Sequence, residues 1–330
     1  MALSLERGRV TAVTQRLPEL VRLEVEGVPC VAYPRLTGPV EEGDDVLVNV
    51  QARELGLGSG GFDVLYANLT RGLGLAPEEG AHVMKLPYTP GQVAMRHVEE
   101  DGPLAETLRG MPVVCCTLHS QVVPVCAGIG GVARVAYVQV PGGAVPVSLS
   151  DAVRALKAKG LLEVAVAAGG CIDGDVHAVT VASSLAWAAT QGYEVAVCAS
   201  GPGIVGTGSR LGHGALAAAD AANEAAALGG RPIVAARAST ADRRERHRGV
   251  SHHTRTVLEL CLAAATVAWP AGVEAPEWLE PREEVDVSGW EQASVGLPLS
   301  HMGRGPEDDP RFFAAAFAAG RLAVQRQQRP

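Results

Sequence analysis

The stretch that decides the fold runs from Tyr193 to Ser239 and reads YEVAVCASGPGIVGTGSRLGHGALAAADAANEAAALGGRPIVAARAS. It begins with a short apolar run that is typical of a buried strand, passes through glycines, and continues as an alanine-rich segment with a helical pattern. A pair of glycines ends that segment, and a second apolar run follows. A strand, a helix and a strand in this order predict two parallel strands joined by a crossover helix.

The same alternation extends in both directions from this unit and predicts a doubly wound, mainly parallel α/β domain over residues 111–330. Further strands are predicted at MPVVCCT (111–117), ARVAYVQV (133–140) and LEVAVAA (162–168). Helices are predicted over 148–160, 175–192, 251–269 and 311–325. Pro270 would end the third of these helices, whereas Asp309 as N-cap and Pro310 in the first turn would begin the last one.

The first 75 residues have a different pattern, in which short alternating segments are separated by glycine, proline and acidic turns. A small β-barrel is the natural way to close so many short strands. Residues 76–110 are then predicted to connect this barrel-like domain to the α/β domain. The length of 330 residues suits two domains.

The charge distribution favours a small anionic ligand over a nucleic acid. The chain has a net charge of -8, yet residues 231–255 contain seven arginines against two acidic residues. Such a local cationic segment in an acidic protein does not make the extended basic face that nucleic acids need. No apolar stretch is long enough to predict a membrane span, and the seven cysteines show no disulfide pattern, so we expect reduced thiols and a cytoplasmic location. Association into a homo-oligomer is left open.

Four polar clusters directly follow predicted strands, and in a parallel sheet the carboxyl ends of the strands share one edge. The clusters contain His119, the pair Asp173 and Asp175, the glycine-rich segment, and Asp242 with the basic segment after it. We therefore expect a site at this edge. The candidate catalytic residues are His119, Asp173, His252 and His253. His301 and Arg304, before the last helix, could close over a ligand, but a solvated loop is the favoured interpretation.

The glycine-rich segment matches the pattern G-x-G-x-x-G between a strand and a helix. We expect it to bind an anion, because glycines let backbone N–H groups approach phosphate and a helix N-terminus favours negative charge. The candidate residues are Gly201, Gly203, Gly206, Thr207 and Gly208. A tight turn without a ligand is the alternative. An NADP site is a weaker alternative. The next strand lacks the acid that would bind a ribose, but it ends near Arg237, which could contact the 2′-phosphate of NADP.

The segment RRERHRGVSHHTRT (243–256) admits three interpretations. The first is an anion site made by the helix that Ser251 would cap together with Arg246, Arg248 and Arg255, with a neutral histidine as general base. The second is a solvated basic face. The third is a metal site, which is disfavoured because consecutive helical residues point about 100° apart, so His252 and His253 are not expected to face one ion. The possible metal ligands, for an ion such as Mg²⁺, are Asp173, Asp175, Asp242 and His247.

Several longer motifs together resemble a bacterial family catalogued as domain of unknown function 3866. They are TLHSQVVPVCAG (117–128), GPGIVGTGSRLGH (201–213), ADRRERHRGVSHHTRT (241–256), SHMGRGPEDDPRFF (300–313) and EEGDDVLVNVQARELGLGSGG (41–61). The resemblance spans nearly the whole chain. It implies membership of the family and assigns no activity, cofactor or site residue.

The residues therefore support three functional hypotheses. The first is an enzyme that hydrolyses a small phosphorylated or nucleotide-like anion, or transfers a group from it, with possible help from a divalent metal. The second is an NADP-dependent oxidoreductase. The third is a non-catalytic sensor that binds the same anion.

Overall fold

The computed structural model describes residues 3–56, 60–71, 74–76 and 78–328. The chain forms two compact units, Met1–Met95 and Arg96–Pro330. The division between them falls inside the segment 76–110, which the sequence suggested as a connection. Among the described residues, no helix combines the length and apolar character that crossing a membrane requires.

The N-terminal unit contains a closed five-stranded barrel, as the sequence predicted, with neighbouring strands in the order β1-β2-β3-β5-β4. The strands are β1 (Leu5–Arg16), β2 (Val21–Val25), β3 (Val28–Ala32), β4 (Asp45–Asn49) and β5 (Asp63–Asn68). Burial alternates along β2 and β4, because one face of each strand points into the barrel. Short helices α1 (Pro34–Thr37) and α2 (Gln51–Glu54) and a hairpin of β6 (Val83–Lys85) and β7 (Val93–Met95) complete the unit.

The C-terminal unit is built on an eight-stranded, all-parallel sheet in the order β11-β10-β9-β12-β8-β13-β16-β17. In chain order the strands are β8 (Pro112–Cys116), β9 (Val135–Val140), β10 (Val164–Ala168), β11 (Val176–Ala178), β12 (Val195–Ser200), β13 (Arg231–Ala235), β16 (Thr266–Pro270) and β17 (Arg282–Val285). A separate two-stranded ladder pairs β14 (Ala238–Ser239) with β15 (Gly249–Val250).

Helices cover both faces of the sheet, which confirms the doubly wound α/β prediction. The helices are α3 (Val122–Ile129), α4 (Asp151–Ala158), α5 (Val181–Thr190), α6 (Ala217–Ala227), α7 (His252–Leu260), α8 (Trp290–Ala293) and α9 (Pro310–Gln327). Alternate residues of β8 belong to two separate cores, since Val113 and Cys115 pack with α5, α6 and α7, whereas Val114 and Cys116 pack with α3, α4 and α9. Continuous apolar runs are expected for strands that are buried on both faces.

Two predicted helices are wrong in extent. The helix predicted over 251–269 ends at Leu260, and its apolar end forms β16, which pairs with β13 and β17. The helix predicted over 175–192 begins with strand β11, and α5 starts only after the N-cap Thr180. In both cases a short apolar run with β-branched residues fits the next position in the sheet, and this tertiary pairing overrides the local helical pattern.

Helices α3 and α9 approach each other closely because each has a glycine at the contact. A Cβ atom added to Gly320 would lie 2.0 Å from the carbonyl oxygen of Val125, and one added to Gly128 would lie 2.3 Å from that of Phe317. Real Cβ atoms do not come this close to backbone oxygens, so any side chain would push the helices apart.

The first prediction is that Gly320→Ala destabilises the C-terminal unit. Alanine within an exposed helix normally stabilises it by about 1 kcal/mol relative to glycine, but overpacking at this contact should reverse the sign and cost about 1–3 kcal/mol. Urea unfolding followed by tryptophan fluorescence measures the change. Gln325→Ala, on the exposed side of the same helix, is the control and should be nearly neutral. A variant Gly320→Ala as stable as the parent protein would contradict the close packing.

Candidate functional site: a histidine and arginine cluster at the carboxyl edge

Parallel strands place the loops after β8, β9, β12 and β13 at one edge of the sheet. Gln121 ties two of these loops together, since its Nε2 donates hydrogen bonds to the carbonyl oxygens of Ala235 and Ala236, each at 3.0 Å. Its Oε1 accepts hydrogen bonds from Thr117 and from the backbone of Leu118. The loop after β8 is therefore held against the end of β13, where the most polar part of the chain begins.

Arg237 lies two residues beyond β13 and is only 2% exposed. Its Nη2 donates to Asp242 Oδ2 at 3.2 Å, and its Nη1 donates to Nδ1 of His253, also at 3.2 Å. Burial, together with the nearby charge of Arg244, lowers the pKa of Arg237 to about 10, so the guanidinium is still charged at neutral pH. A buried cation of this kind requires partners, and Asp242 supplies the opposite charge.

Asp242 is shared by three arginines. Besides Arg237, it accepts hydrogen bonds from the side chain of Arg244 at 2.9 and 3.0 Å, and Arg304 lies 3.6 Å away. Burial alone would raise the pKa of this carboxyl, but the hydrogen bonds and charge of Arg244 outweigh it and hold the pKa well below its ordinary value. Arg304 also lies 3.4 Å from Asp309. Three arginines therefore share two carboxylates and leave one positive charge uncompensated within this set.

Four histidines pack against this charged network and are called the histidine cluster: His213, His247, His252 and His253. The rings of His213 and His253 stack with their centroids 4.0 Å apart. Burial lowers the pKa of all four, and neighbouring histidines and arginines lower it further, to about 3 for His247 and about 2 for His253. At neutral pH the cluster therefore consists of uncharged imidazoles.

Ser251 sets the position of two of these rings. As predicted it is the N-cap of α7, where its Oγ accepts the backbone N–H of His253 at 3.1 Å and lies 2.7 Å from Nδ1 of His247. The expectation that His252 and His253 would face apart is wrong, because their ring centroids are 4.5 Å apart. The 100° step separates the directions in which the side chains leave the helix, but the flexible side chains of the first turn bring the rings back together.

The glycine-rich segment reaches the site in an unexpected way. It folds back on itself as a hairpin, with Thr207 N–H donating to Gly212 O at 2.6 Å and Gly214 N–H donating to Val205 O at 2.8 Å. A bridge between Gly206 and His213 closes the hairpin. The expectation that this loop leads directly into a helix is wrong, since α6 begins only at Ala217. The hairpin instead returns His213 to the histidine cluster.

The glycines of this segment have different environments. A Cβ atom on Gly201 would lie 2.2 Å from the carbonyl oxygen of Ala144, so this glycine permits close backbone packing beside β12. Gly206 faces His213, with 3.1 Å to its Cβ. Gly203, with φ of +70°, and Gly208 have open space around them. Packing explains Gly201 and the backbone conformation explains Gly203, and anion binding by the segment stays a prediction.

Of the predicted anion-binding arginines, only Arg246 lies near the cluster, where its charge contributes to lowering the pKa of His252. Arg248 is exposed. Arg255 is also exposed and pairs with Glu259 at 3.2 Å, one helical turn along α7. The structure brings Arg237, Arg244 and Arg304 to the histidines instead.

The proposed ligand set of Asp173, Asp175, Asp242 and His247 is not brought together. The two aspartates follow β10, which is four positions from β13 in the sheet, a distance of about 19 Å at the usual strand spacing. Asp173 accepts a hydrogen bond from Ser148 at 2.9 Å, and Asp175 pairs with Lys157 at 2.5 Å. These contacts give both carboxylates a structural role in the turn before β11.

His119 is held between two loops at the same edge. Its Nδ1 donates to the carbonyl oxygen of Ser200 at 3.0 Å, and its Nε2 accepts from the hydroxyl of Ser150 at 2.7 Å. Burial lowers its pKa to about 4. Because both ring nitrogens are engaged, His119 is arranged to support the loops after β8 and β12, and its predicted catalytic role is not favoured by the geometry.

The loop before α9 contributes residues that the sequence analysis underrated. His301 is 2% exposed, not solvated, and its ring stacks on Phe312 with centroids 3.9 Å apart. Its Nδ1 lies 3.1 Å from the hydroxyl of Ser120. Asp309 precedes α9 as expected, but its side chain accepts from Ser239 and Thr240 and does not cap the helix. The sequence signal for these residues was the motif SHMGRG, in which only Met302 and Gly303 separate the histidine from the arginine.

The N-terminal unit also has a cleft, of about 580 Å³, lined by residues that include Arg35, Leu36, Glu78 and Gln92. Arg35 and Glu78 pair with each other across 3.1 Å. Among the residues that the structure describes, its lining offers no histidine and no carboxylate besides Glu78.

The fold and site define a class of protein with an N-terminal barrel and a doubly wound domain whose carboxyl edge carries buried arginine and neutral histidines. Residues 29–320 match the family described as "Protein of unknown function (DUF3866)", and the chain belongs to this family. No curated protein matches the chain. The matched range includes every residue of the histidine cluster and its arginines.

The second prediction concerns the effect of pH on stability through His119. Its pKa of about 4 in the folded protein lies below the ordinary value of 6.5, so the unfolded chain binds the proton first as the pH falls. The free energy of unfolding should therefore decrease between pH 6.5 and 4. His119→Asn, which keeps a donor toward Ser200, should remove about 1–3 kcal/mol of that decrease. Urea unfolding at several pH values measures it, with the exposed His82→Asn as control; equal pH dependence in all three proteins would refute the assignment.

The third prediction tests the close packing of Gly201 in the glycine-rich segment. Gly201→Ala should destabilise the C-terminal unit by about 1–3 kcal/mol, because its new methyl group meets backbone. Gly208→Ala, in open space and without a positive φ, should leave stability within about 0.5 kcal/mol of the parent. Thermal unfolding of both variants compares them. Equal stability of the two would show that the close approach of Gly201 to Ala144 does not exist.

Proposed function

We propose that the protein is an enzyme that acts on a small phosphorylated or nucleotide-like anion at the carboxyl edge of its parallel sheet. The observation that carries the proposal is the buried guanidinium of Arg237, placed between Asp242 and the histidine cluster. Hydrolysis or group transfer is the reaction class that such residues suit.

The charge balance around Arg237 favours an anion. The side chains of Arg244 and Arg304 are 36% and 20% exposed, so the positively charged network extends from the buried Arg237 to the protein surface. Nε of Arg237 is buried without a hydrogen-bond partner among the described residues. Guanidinium groups bind phosphate oxygens through paired, charge-assisted hydrogen bonds, and the uncompensated positive charge would be neutralised by such a ligand.

The histidines supply the means of proton transfer. The lowered pKa of His252 keeps its ring unprotonated at neutral pH, so that it can accept a proton from water or from a hydroxyl group, whereas the pKa of about 2 makes His253 too weak a base for this role. His253 already accepts a hydrogen bond from Arg237. His252 is partly exposed as a residue, but its Nε2 is buried and has no hydrogen-bond partner among the described residues. Of the two residues predicted as general bases, His252 is therefore the better placed.

The fourth prediction tests anion binding through Arg244. Arg244→Gln removes the most exposed cation of the network while Arg237 remains on Asp242. We expect the affinity for pyrophosphate or AMP, measured by isothermal titration calorimetry, to fall by about 10- to 100-fold, since a charge-assisted hydrogen bond contributes about 1.5–3 kcal/mol. Arg134→Gln is the matched control. Arg134 precedes β9 and lies at the opposite edge of the sheet, so its loss should leave affinity unchanged.

Two outcomes would overturn the anion site: no saturable binding of phosphate, pyrophosphate, AMP or ATP by the parent protein, or equal affinity in the parent and Arg244→Gln. Binding without release of phosphate or transfer of a group would favour the sensor hypothesis over the enzyme. Saturable binding of NADP alone, followed by fluorescence of the reduced cofactor, would favour the oxidoreductase.

A further inference from the structure

Three histidines of the cluster bring ligand atoms close together from two separate parts of the chain. His213 comes from the hairpin after β12, whereas His252 and His253 begin α7. One ring nitrogen from each lies within 4.8 Å of the other two. Within the described part of the chain, these residues form the one group of three or more histidine, cysteine or acidic side chains with this arrangement.

We propose that His213, His252 and His253 bind a transition-metal dication, for which zinc is the best match. Imidazole nitrogens are ligands that zinc prefers, whereas magnesium and calcium prefer oxygen. Three protein ligands with an open fourth position are typical of catalytic zinc and not of closed structural sites. This inference deepens the proposed function, because it adds a metal to the same site.

The environment of His213 independently points to a ligand. The residue is only 7% exposed, yet neither ring nitrogen makes a hydrogen bond of ordinary geometry among the described residues, although the backbone of Arg210 interacts with the ring. Burying a polar group without a partner costs about 1–3 kcal/mol. A metal ion would provide the missing partner for one nitrogen. The nearby carbonyl of Arg210 could then orient the ring through the other nitrogen, as outer partners do in known metal sites.

The distances allow ligation after a small movement. With zinc–nitrogen bonds of about 2.0–2.1 Å in a tetrahedral arrangement, ligand nitrogens lie about 3.4 Å apart. The present separations of up to 4.8 Å therefore need to shorten by about 1.4 Å at most, an amount that side-chain rotation can supply. His252 is partly exposed, so its ring has room to turn.

Metal binding should also release Arg237. Nδ1 of His253 accepts a hydrogen bond from Arg237, so this nitrogen carries the lone pair and Nε2 carries the proton. If the metal binds Nδ1, it replaces the guanidinium. If the metal binds Nε2, the proton moves to Nδ1, which can no longer accept. In either case Arg237 Nη1 becomes available to an anion beside the open coordination position, and this step rests on the proposed function.

The experiment uses the full chain without a histidine tag, treated with chelator and titrated with ZnCl₂ by calorimetry and with CoCl₂ by visible absorption. We expect one equivalent of zinc to bind with micromolar affinity or better, and cobalt to give the intense absorption of a tetrahedral site. His213→Gln should weaken zinc binding by about 100-fold or more. The exposed His82→Gln is the control and should bind as the parent does.

The competition with Arg237 has its own readout. Arg237→Met removes a like charge and the competing donor, while Arg244 remains on Asp242. Zinc should therefore bind this variant about 10-fold more tightly, and weaker binding would contradict the competition. Circular dichroism checks that each variant folds. If His213→Gln does not fold, the partly exposed His252→Asn replaces it and should show the same loss.

The outcomes separate the metal site from the proposed function. The metal site is overturned if the parent binds no zinc, or if His213→Gln or the replacement variant binds it as well as the parent. Pyrophosphate binding that survives chelation and depends on Arg244 would then leave the anion site standing. Conversely, zinc binding without any anion binding would support the metal site and refute the proposed function.

Discussion

The buried guanidinium of Arg237 is the constraint on which the rest of the site depends. A charge this deep in the protein is tolerated only with an opposite charge and satisfied hydrogen bonds, and removing one partner of such a pair costs about 3–5 kcal/mol. Asp242 provides that partner at 3.2 Å. The backbone N–H of the same arginine donates to Thr254, so the start of α7 is fixed against the end of β13. One residue thus positions both the carboxylate and the helix that carries two histidines.

This constraint extends from Asp242 to the last helix of the chain. Arg304 approaches both Asp242 and Asp309, and Asp309 accepts hydrogen bonds from Ser239 and Thr240 just beyond β13. Helix α9 starts at the next residue and packs its alanines against the sheet and its phenylalanines against Leu118, Ala127 and Trp290. The loop with His301 is therefore enclosed between a charged network and a hydrophobic core. That enclosure explains why a histidine in a polar, glycine-containing loop is almost fully buried.

The sequence predicted the architecture well because its main signals are local. Five strands of the parallel sheet, β8, β9, β10, β12 and β13, are short and mainly apolar runs, and the parallel arrangement follows from their alternation with helices, so the shared edge could be inferred from the sequence alone. The failures involve information that is not local. The order of strands places Asp173 far from Asp242. The hairpin brings His213 to the start of α7, which lies 39 residues further along the chain. The run that ends at Trp269 forms a strand because it pairs with β13. None of these follows from periodicity.

The basic segment RRERHRGVSHHTRT divides into two parts with opposite electrostatic behaviour. Arg246 and Arg248 face solvent, where their charges cost little. His247 and His253 are buried beside Arg237, and a second positive charge there would be repelled by the first and poorly solvated. The imidazoles therefore stay unprotonated while the guanidinium stays charged, because a guanidinium holds its proton far more strongly. Burial, assisted by the charge of Arg237, thus lowers the pKa of both histidines, so their rings keep unprotonated nitrogens at neutral pH.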